Sequence, residues 1–266
     1  MEEKIREIII TMTPTVFLSG KIARYEYIKI LEDCAKLLPR NANVLDIGCG
    51  CGYSTAYLCY LRKDISITGA DPWSHPKAWN KLSKLVGSKR CNFLKADGQK
   101  LSFRSEEFDA VISFGVMEHI SDDNGFLREL NRVLRKGGQN IIYHLPNRYS
   151  FNELLARILG KNVHAVRYSM SDTKKILEKN GFRIVKIERE YFLPLQLYKI
   201  NKRFGDFFNN HYKAFFSFDS FLMKTPLNRM CQSFKIVSVK ENCQIFSRFG
   251  YIYNALKDCW VFRLDK

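Results

Sequence analysis

The stretch Val44-Leu45-Asp46-Ile47-Gly48-Cys49-Gly50-Cys51-Gly52 decides the fold of this 266-residue chain. Its apolar run with an acid inside predicts a buried strand, and its three glycines at every second position predict a loop that a ligand can approach closely. Residues 53–58 favour a helix. The predicted order is therefore strand, glycine loop, helix.

The spacing of these glycines separates two classes of ligand. A dinucleotide fingerprint requires G-x-G-x-x-G, but Tyr53 and Thr55 occupy the two possible sixth positions. The pattern is instead D-x-G-x-G-x-G, with Asp46 two residues before the first glycine. A carboxylate beside the loop would repel a pyrophosphate and attract an ammonium or sulfonium group.

This run closely resembles the first motif of class I S-adenosylmethionine-dependent methyltransferases. The resemblance implies that S-adenosyl-L-methionine is the cofactor, that the loop passes its methionine part and that Asp46 orients its amino acid end. The implied loop contacts are Gly48, Cys49, Gly50 and Gly52. A tight strand-to-helix turn without a ligand is the alternative.

A second acid follows the next predicted strand. Residues 65–71 alternate into a strand that ends in Asp71, and an acid at this distance from the loop can accept hydrogen bonds from both ribose hydroxyls. Pro72 and Trp73 come next and could pack against the adenine, although Trp73 could equally belong to the core.

Strands three and four continue the series. The third begins at Cys91 and ends in Asp97 and Gly98, where the resemblance implies contacts with the adenine amino group and ring. The fourth, 108–114, leads into Gly115-Val116-Met117-Glu118-His119-Ile120, which resembles a V-x-E-H-I segment of the family's small-molecule branch. Further implied cofactor contacts are Ser113, Phe114 and Gly115.

The remaining pattern predicts the whole sheet. A helix over 123–135 is stopped by Gly137-Gly138, and strands follow over 140–145, 182–188 and 234–239. Strands alternating with helices indicate an α/β, Rossmann-like, doubly wound sheet of seven strands. It is mostly parallel with an antiparallel last strand and carries helices on both faces.

Three parts are expected along the chain: an N-terminal helical segment (1–40), a cofactor-binding core (41–192) and a basic, aromatic-rich part (193–266) that completes the sheet and covers the substrate pocket. Residues 204–222 place aromatic side chains at helical spacing, which predicts a helix on the sheet or over the pocket. An interfacial helix on an anionic membrane, or a pocket for a lipid-linked substrate, is the alternative.

Charge raises the question of a nucleic-acid partner. The chain carries a net charge of +16, and residues 151–266 hold 21 Lys and Arg against 10 Asp and Glu. An RNA methyltransferase is therefore one hypothesis. The absence of an N-P-P-Y motif after strand four and of a Pro-Cys pair argues against it. A catalytically silent scaffold is a further hypothesis. The presence of all three acids, Asp46, Asp71 and Asp97, argues against it.

Further features favour a small-molecule enzyme. The order P-N-R-Y, G-K, H-x-x-R, L-E-x-x-G-F resembles the family's ubiquinone-methylase-like branch, whose members mostly modify small molecules. The chain starts without a basic leader and has no apolar run of membrane-span length, so we expect a cytoplasmic protein, with contact at the inner membrane face as an option. Eight cysteines without a CxxC pair indicate reduced thiols, and no metal is expected.

Methylation of a hydroxyl oxygen, the favoured reaction, requires a base. His119, directly after strand four, is the predicted catalytic base, with ordering of the loop as the alternative. His144, near the end of strand five, is expected near the same cofactor edge and is the second candidate, but it alternates with Ile142 and is predicted instead to be a core histidine. The predicted substrate contacts are His164, Arg167, Arg148 and Tyr149, and Arg167 could equally be a solvated charge.

Overall fold

The computed structural model describes residues 21–158, 166–193 and 202–241. The strands are β1 (Asn43–Ile47), β2 (Ser66–Asp71), β3 (Cys91–Lys95), β4 (Phe108–Phe114), β5 (Leu134–Pro146), β6 (Phe182–Glu190) and β7 (Ser233–Lys240). The helices are α1 (Lys21–Leu37), α2 (Tyr53–Leu61), α3 (Pro76–Val86), α4 (Asp123–Val133), α5 (Phe151–Ile158), α6 (Met170–Lys179), α7 (Lys202–Asn210) and α8 (Tyr212–Leu222). Short 3-10 turns lie at Met117–His119 and Pro226–Met230.

The sheet has the order β3-β2-β1-β4-β5-β7-β6. β1 pairs in parallel with β2 and β4, whereas β7 lies antiparallel between β5 and β6. The predicted mostly parallel sheet with an antiparallel last strand is therefore confirmed. Because the chain runs outward from β1 to β3 and then returns to β4, the strand order reverses between β1 and β4, where such sheets bind ligands.

Two apolar cores cover the two faces of the sheet. Successive residues of a strand point to opposite faces, so Val44 packs with α1 and α2 on one side while Leu45 packs with α4 and α6 on the other. On the second face, Phe126 of α4 and Leu177 of α6 are fully buried. Burying one such side chain stabilises the folded state by about 1.5–3 kcal/mol.

The prediction that a helix over 123–135 is stopped by Gly137-Gly138 is wrong. α4 ends at Val133, and Leu134 already pairs with Phe108 of β4. The next pair is Ala110 with Gln139, so the intervening residues bulge out of the ladder, with Gly137 at φ +72°. The glycines that were predicted to stop a helix instead form an irregularity inside β5.

The aromatic stretch forms two helices, α7 and α8, separated at His211. Phe216 is buried and lies 5.2 Å, between ring centroids, from Tyr25 of α1. The buried carboxylate of Asp219 accepts hydrogen bonds from the backbone N–H groups of residues 192 and 193. α8 therefore packs on α1 and on the segment after β6. None of the described helices combines the length and apolar content needed to cross a bilayer.

Candidate functional site

The glycine loop is held by the neighbouring strand and helix. The N–H of Gly48 donates to the carbonyl of Ala70 in β2 at 2.7 Å. The N–H of Gly50 donates to Asp71 Oδ2, and Trp79 Nε1 of α3 donates to the carbonyl of Gly50, both at 2.8 Å. Trp79 was not singled out from the sequence, because nothing local links it to a loop 29 residues away.

The three glycines serve different purposes. All have positive φ, at +74° for Gly48, +52° for Gly50 and +89° for Gly52. A Cβ at Gly48 would lie 2.3 Å from Val116, and one at Gly52 would lie 2.4 Å from Phe93. A Cβ at Gly50 would meet no atom within 4 Å. The first and third glycines therefore allow close packing, and the middle one faces open space.

Asp46 is buried beneath this loop. Its Oδ2 accepts hydrogen bonds from the hydroxyls of Ser54 (2.8 Å) and Thr55 (2.6 Å) in α2. Its Oδ1 is buried and has no hydrogen-bond partner. Burial raises the pKa of Asp46 to about 6, although the two hydroxyls act in the opposite direction. A carboxylate with an unpartnered oxygen fits a positively charged ligand group at this position.

Asp71 bridges the loop and the residues after β2. One oxygen accepts the N–H of Gly50 and the other the N–H of Trp73, each at 2.8 Å. Each carboxylate oxygen keeps a further lone pair, so the predicted ribose contact is compatible with this geometry and stays a prediction. Trp73 is 74% exposed, which rules out the core alternative for its side chain.

The other predicted cofactor contacts lie at or just beyond the carboxyl ends of β3 and β4. Asp97 is exposed, and its Oδ1 accepts the N–H of Gln99. The hydroxyl of Ser113 is buried without a hydrogen-bond partner. Gly115, at φ +62°, follows β4. The fold thus brings the predicted positions to one edge of the sheet, and their roles stay predictions.

His119, the predicted base, lies on the surface of the 3-10 turn after β4. Its side chain is 73% exposed, and its Nε2 lies 4.0 Å from Glu118 Oε1. Nothing in this geometry tests its catalytic role, which stays a prediction.

The prediction of a core histidine at position 144 is wrong. His144 has φ +60°, and the pairing of β5 with β7 shifts register there, so the alternation with Ile142 is broken. Its side chain is 34% exposed. The backbone N–H of His144 donates to Glu190 Oε2 at 3.1 Å, and the ring atom Nδ1 lies 3.5 Å from the same oxygen.

Several carboxylates surround this histidine. Burial alone would lower the pKa of His144, but Glu190, Glu26 and Glu118 more than offset burial and raise it to about 9. Glu26 of α1 is itself buried, which raises its pKa to about 7. The cluster joins α1, the 3-10 turn, β5 and β6. Sequence patterns could not find it, since Glu190 lies 46 residues from His144.

The predicted substrate contacts lie between β5 and α6. Arg167 forms an ion pair with the buried Glu153 of α5, with 2.6 Å between Nε and Oε2, and is therefore not a solvated charge. Arg148 Nη1 lies 3.4 Å from Asp172 Oδ2 of α6, and the side chain of Tyr149 is exposed. His164 lies outside the described residues. Within the ranges that the structure describes, no group of three or more His, Cys, Asp or Glu could hold a metal ion.

A protein-family model matches the part of the chain that carries this edge. The model described as a methyltransferase domain matches residues 45–142, which run from β1 into β5 and include the glycine loop, Asp71, Asp97 and Gly115.

Three curated relatives illustrate the range of similar proteins. Cycloartenol-C-24-methyltransferase of Arabidopsis thaliana is 35% identical over 35% of this chain and 28% of its own length. The probable tRNA methyltransferase 9B of Homo sapiens is 36% identical over 38% of this chain and 20% of its own length. The mitochondrial ubiquinone biosynthesis O-methyltransferase of Dictyostelium discoideum is 28% identical over 50% of this chain and 43% of its own length. The chain thus spans less than half of these relatives.

A solved structure confirms the fold. Magnesium protoporphyrin IX methyltransferase from Synechocystis PCC 6803 with bound SAH superposes with a TM-score of 0.58 at 16% identity. The match covers 90% of this chain and 94% of that one.

Proposed function

Because residues 45–142 form a methyltransferase domain of the class I S-adenosylmethionine-dependent family, we propose that this protein transfers a methyl group from S-adenosylmethionine to an oxygen atom of a small-molecule acceptor. The observation that carries the proposal is a buried carboxylate with an unpartnered oxygen at the foot of a glycine loop that faces open space. This combination suits a sulfonium donor better than a pyrophosphate.

S-adenosylmethionine supplies a methyl group that its positively charged sulfur makes electrophilic. Asp46 contributes negative charge beneath the loop, and Asp71 offers its remaining lone pairs to the ribose hydroxyls. Gly50 leaves the space that the methionine part requires. The other proposed contacts are Gly48, Cys49, Gly52, Pro72, Trp73, Asp97, Gly98, Ser113, Phe114 and Gly115.

The chain's own task in the reaction is alignment. Holding the acceptor oxygen in line with the methyl carbon is worth an effective molarity of about 10⁵–10⁸ M. A base that takes the hydroxyl proton adds about 10²–10⁴ in rate. His119 is one candidate for that base, because it lies in the 3-10 turn that follows β4.

An apolar or lipid-linked acceptor fits the surface next to the site. α5 exposes four apolar side chains, and the ring of Phe151 stacks on that of Phe192 at 5.6 Å. These side chains are Phe151, Leu154, Leu155 and Ile158. The relatives named for cycloartenol and for ubiquinone biosynthesis support an acceptor of this kind. Arg148, Tyr149, His164 and Arg167 are the proposed polar contacts for it.

Such an acceptor would require access to a membrane surface, which we propose the protein reaches from the cytoplasm. Phe207 of α7 and Phe218 and Phe221 of α8 are exposed, and the C-terminal part of the chain is strongly basic. Exposed aromatic side chains beside basic residues favour contact with anionic lipid.

An RNA acceptor is the second candidate. The net charge of +16 and the relative named for tRNA methylation favour it. It would require the basic C-terminal part to bind phosphates, and that binding would weaken steeply with salt.

Incubation with donor carrying a labelled methyl group and fractionated cell extract tests the proposal. We expect label in a lipid or small-metabolite fraction that resists ribonuclease. The variant Asp71→Ala, for which we expect weakened donor binding and less label, serves as the control. Ribonuclease-sensitive label would favour the second candidate, and donor binding without any transfer would indicate a silent scaffold.

A further inference from the structure

His144 adopts a backbone conformation that is uncommon for a residue with a side chain. Its φ is +60°, and it directly follows Tyr143, the last residue of β5 that pairs with β4. Such strained conformations persist where the surrounding structure enforces them, often at functional sites.

One carboxylate enforces this arrangement. Glu190 Oε2 accepts the backbone N–H of His144 at 3.1 Å and the hydroxyl of Ser233 at 3.0 Å, and it lies 3.5 Å from His144 Nδ1. A carboxylate at Nδ1 stabilises the tautomer that carries its proton there. In the neutral ring, Nε2 then holds the lone pair that can accept a proton.

His144 also lies beside the edge that the proposed donor occupies. A Cβ at Gly115 would lie 4.0 Å from His144 Cβ and 3.3 Å from Glu118 Oε1. The next residue, Val116, packs directly on Gly48 of the glycine loop. The segment after β4 therefore contacts the glycine loop through Val116, and it lies against His144 at Gly115.

We propose that His144 is the general base that removes the proton from the acceptor hydroxyl, and that Glu190 is its positioning residue. This inference rests on the proposed function. The acceptor O–H gives its proton to His144 Nε2, and the electron pair of the oxygen forms the bond to the methyl carbon. The carbon–sulfur bond breaks, and its electron pair stays on the sulfur. The proton then leaves the ring for solvent.

The surrounding charges predict how this step depends on pH. Glu190 of β6, Glu26 of α1 and Glu118 of the 3-10 turn raise the pKa of His144 to about 9, and Asp219 of α8 acts on Glu26. Because only the neutral ring can accept the proton, the rate should rise with pH, with its midpoint near pH 9.

Three variants test the inference in the full chain. His144→Asn removes the base while keeping a residue type that tolerates positive φ. Glu190→Gln keeps the shape but removes the charge beside Nδ1. Glu188→Gln is the matched control, since it lies on the same strand and pairs with Lys186 and Lys235 instead of His144.

Transfer of label to the acceptor fraction is measured from about pH 6 to about pH 10. We expect the wild-type rate to rise with its midpoint near pH 9 and to level off only above that pH, and Glu188→Gln to follow the same profile. His144→Asn should be about 100-fold slower or more and should lose the rise. Glu190→Gln should move the rise to lower pH by about one unit or more, a shift that a purely structural role would not produce.

Titration of the His144 ring by NMR in the wild type and in Glu190→Gln gives a second readout if His144→Asn does not fold. A ring pKa that is unchanged by Glu190→Gln would overturn the inference. So would wild-type transfer whose pH profile survives in His144→Asn, and in that case the proposed function would stand. A wild-type protein that transfers no label would overturn both.

Discussion

Asp46 carries its charge at a place where burial disfavours it. Its side chain is 1% exposed, and its Oδ2 accepts hydrogen bonds from the hydroxyls of Ser54 and Thr55. Because its folded pKa of about 6 lies above the ordinary value of 3.8, the folded state holds the proton more tightly than the unfolded state. This carboxyl therefore lowers stability progressively as pH rises from about 4 to about 6.

The variant Asp46→Asn removes this penalty and also the charge proposed for the donor. We expect its free energy of unfolding at pH 8 to exceed that of the wild type by on the order of 1–3 kcal/mol. Its affinity for the donor should fall. Urea unfolding at pH 4 and pH 8 measures the first effect and calorimetry the second. Equal stability of the two proteins at pH 8 would contradict the buried charge.

Asp71 acts on both the protein and the proposed ligand. Asp71→Ala removes the acceptor for the N–H groups of Gly50 and Trp73 together with the proposed ribose contacts. We expect donor affinity to fall tenfold or more, about 1.4 kcal/mol or above. Asp64→Ala is the control, because Asp64 precedes the same strand at its opposite end and pairs with Arg62. Unchanged affinity in Asp71→Ala would exclude Asp71 from the site.

At the scale of elements, the strand–loop–helix unit separates packing from binding. Gly50→Ala introduces a Cβ into open space at positive φ, so we expect a stability cost of about 1 kcal/mol and a strong loss of donor binding. Gly52→Ala adds a clash with Phe93 and should destabilise the protein considerably more. Thermal unfolding and donor titration distinguish the two. Full donor binding by Gly50→Ala would show that the ligand does not use this space.

The same element shows what sequence patterns can reveal. β1, β2 and β4 were predictable because their apolar runs end in acids or glycines, and these signals are local. The end of α4 was not, since a glycine pair can stop a helix or create a bulge in a strand. The pairing of β5 with β4 begins at Leu134, and this pairing decides for the bulge.

For the molecule as a whole, the common edge of the predicted cofactor positions was predictable and the cluster around His144 was not. Asp46, Asp71 and Asp97 lie at or just beyond the carboxyl ends of β1, β2 and β3, and parallel strands bring such positions to one edge. The cluster around His144 depends instead on Glu26, Glu118 and Glu190, which come from three separate elements. Only the folding of α1 and β6 against β5 brings these side chains together, so no local spacing could predict them.

Calorimetric titration of the intact protein with S-adenosylmethionine tests the central claim most directly, with a nicotinamide dinucleotide titrated in parallel. The account predicts saturable one-to-one binding of the sulfonium donor and no heat from the dinucleotide. Binding of the dinucleotide, with no heat from S-adenosylmethionine, would contradict it.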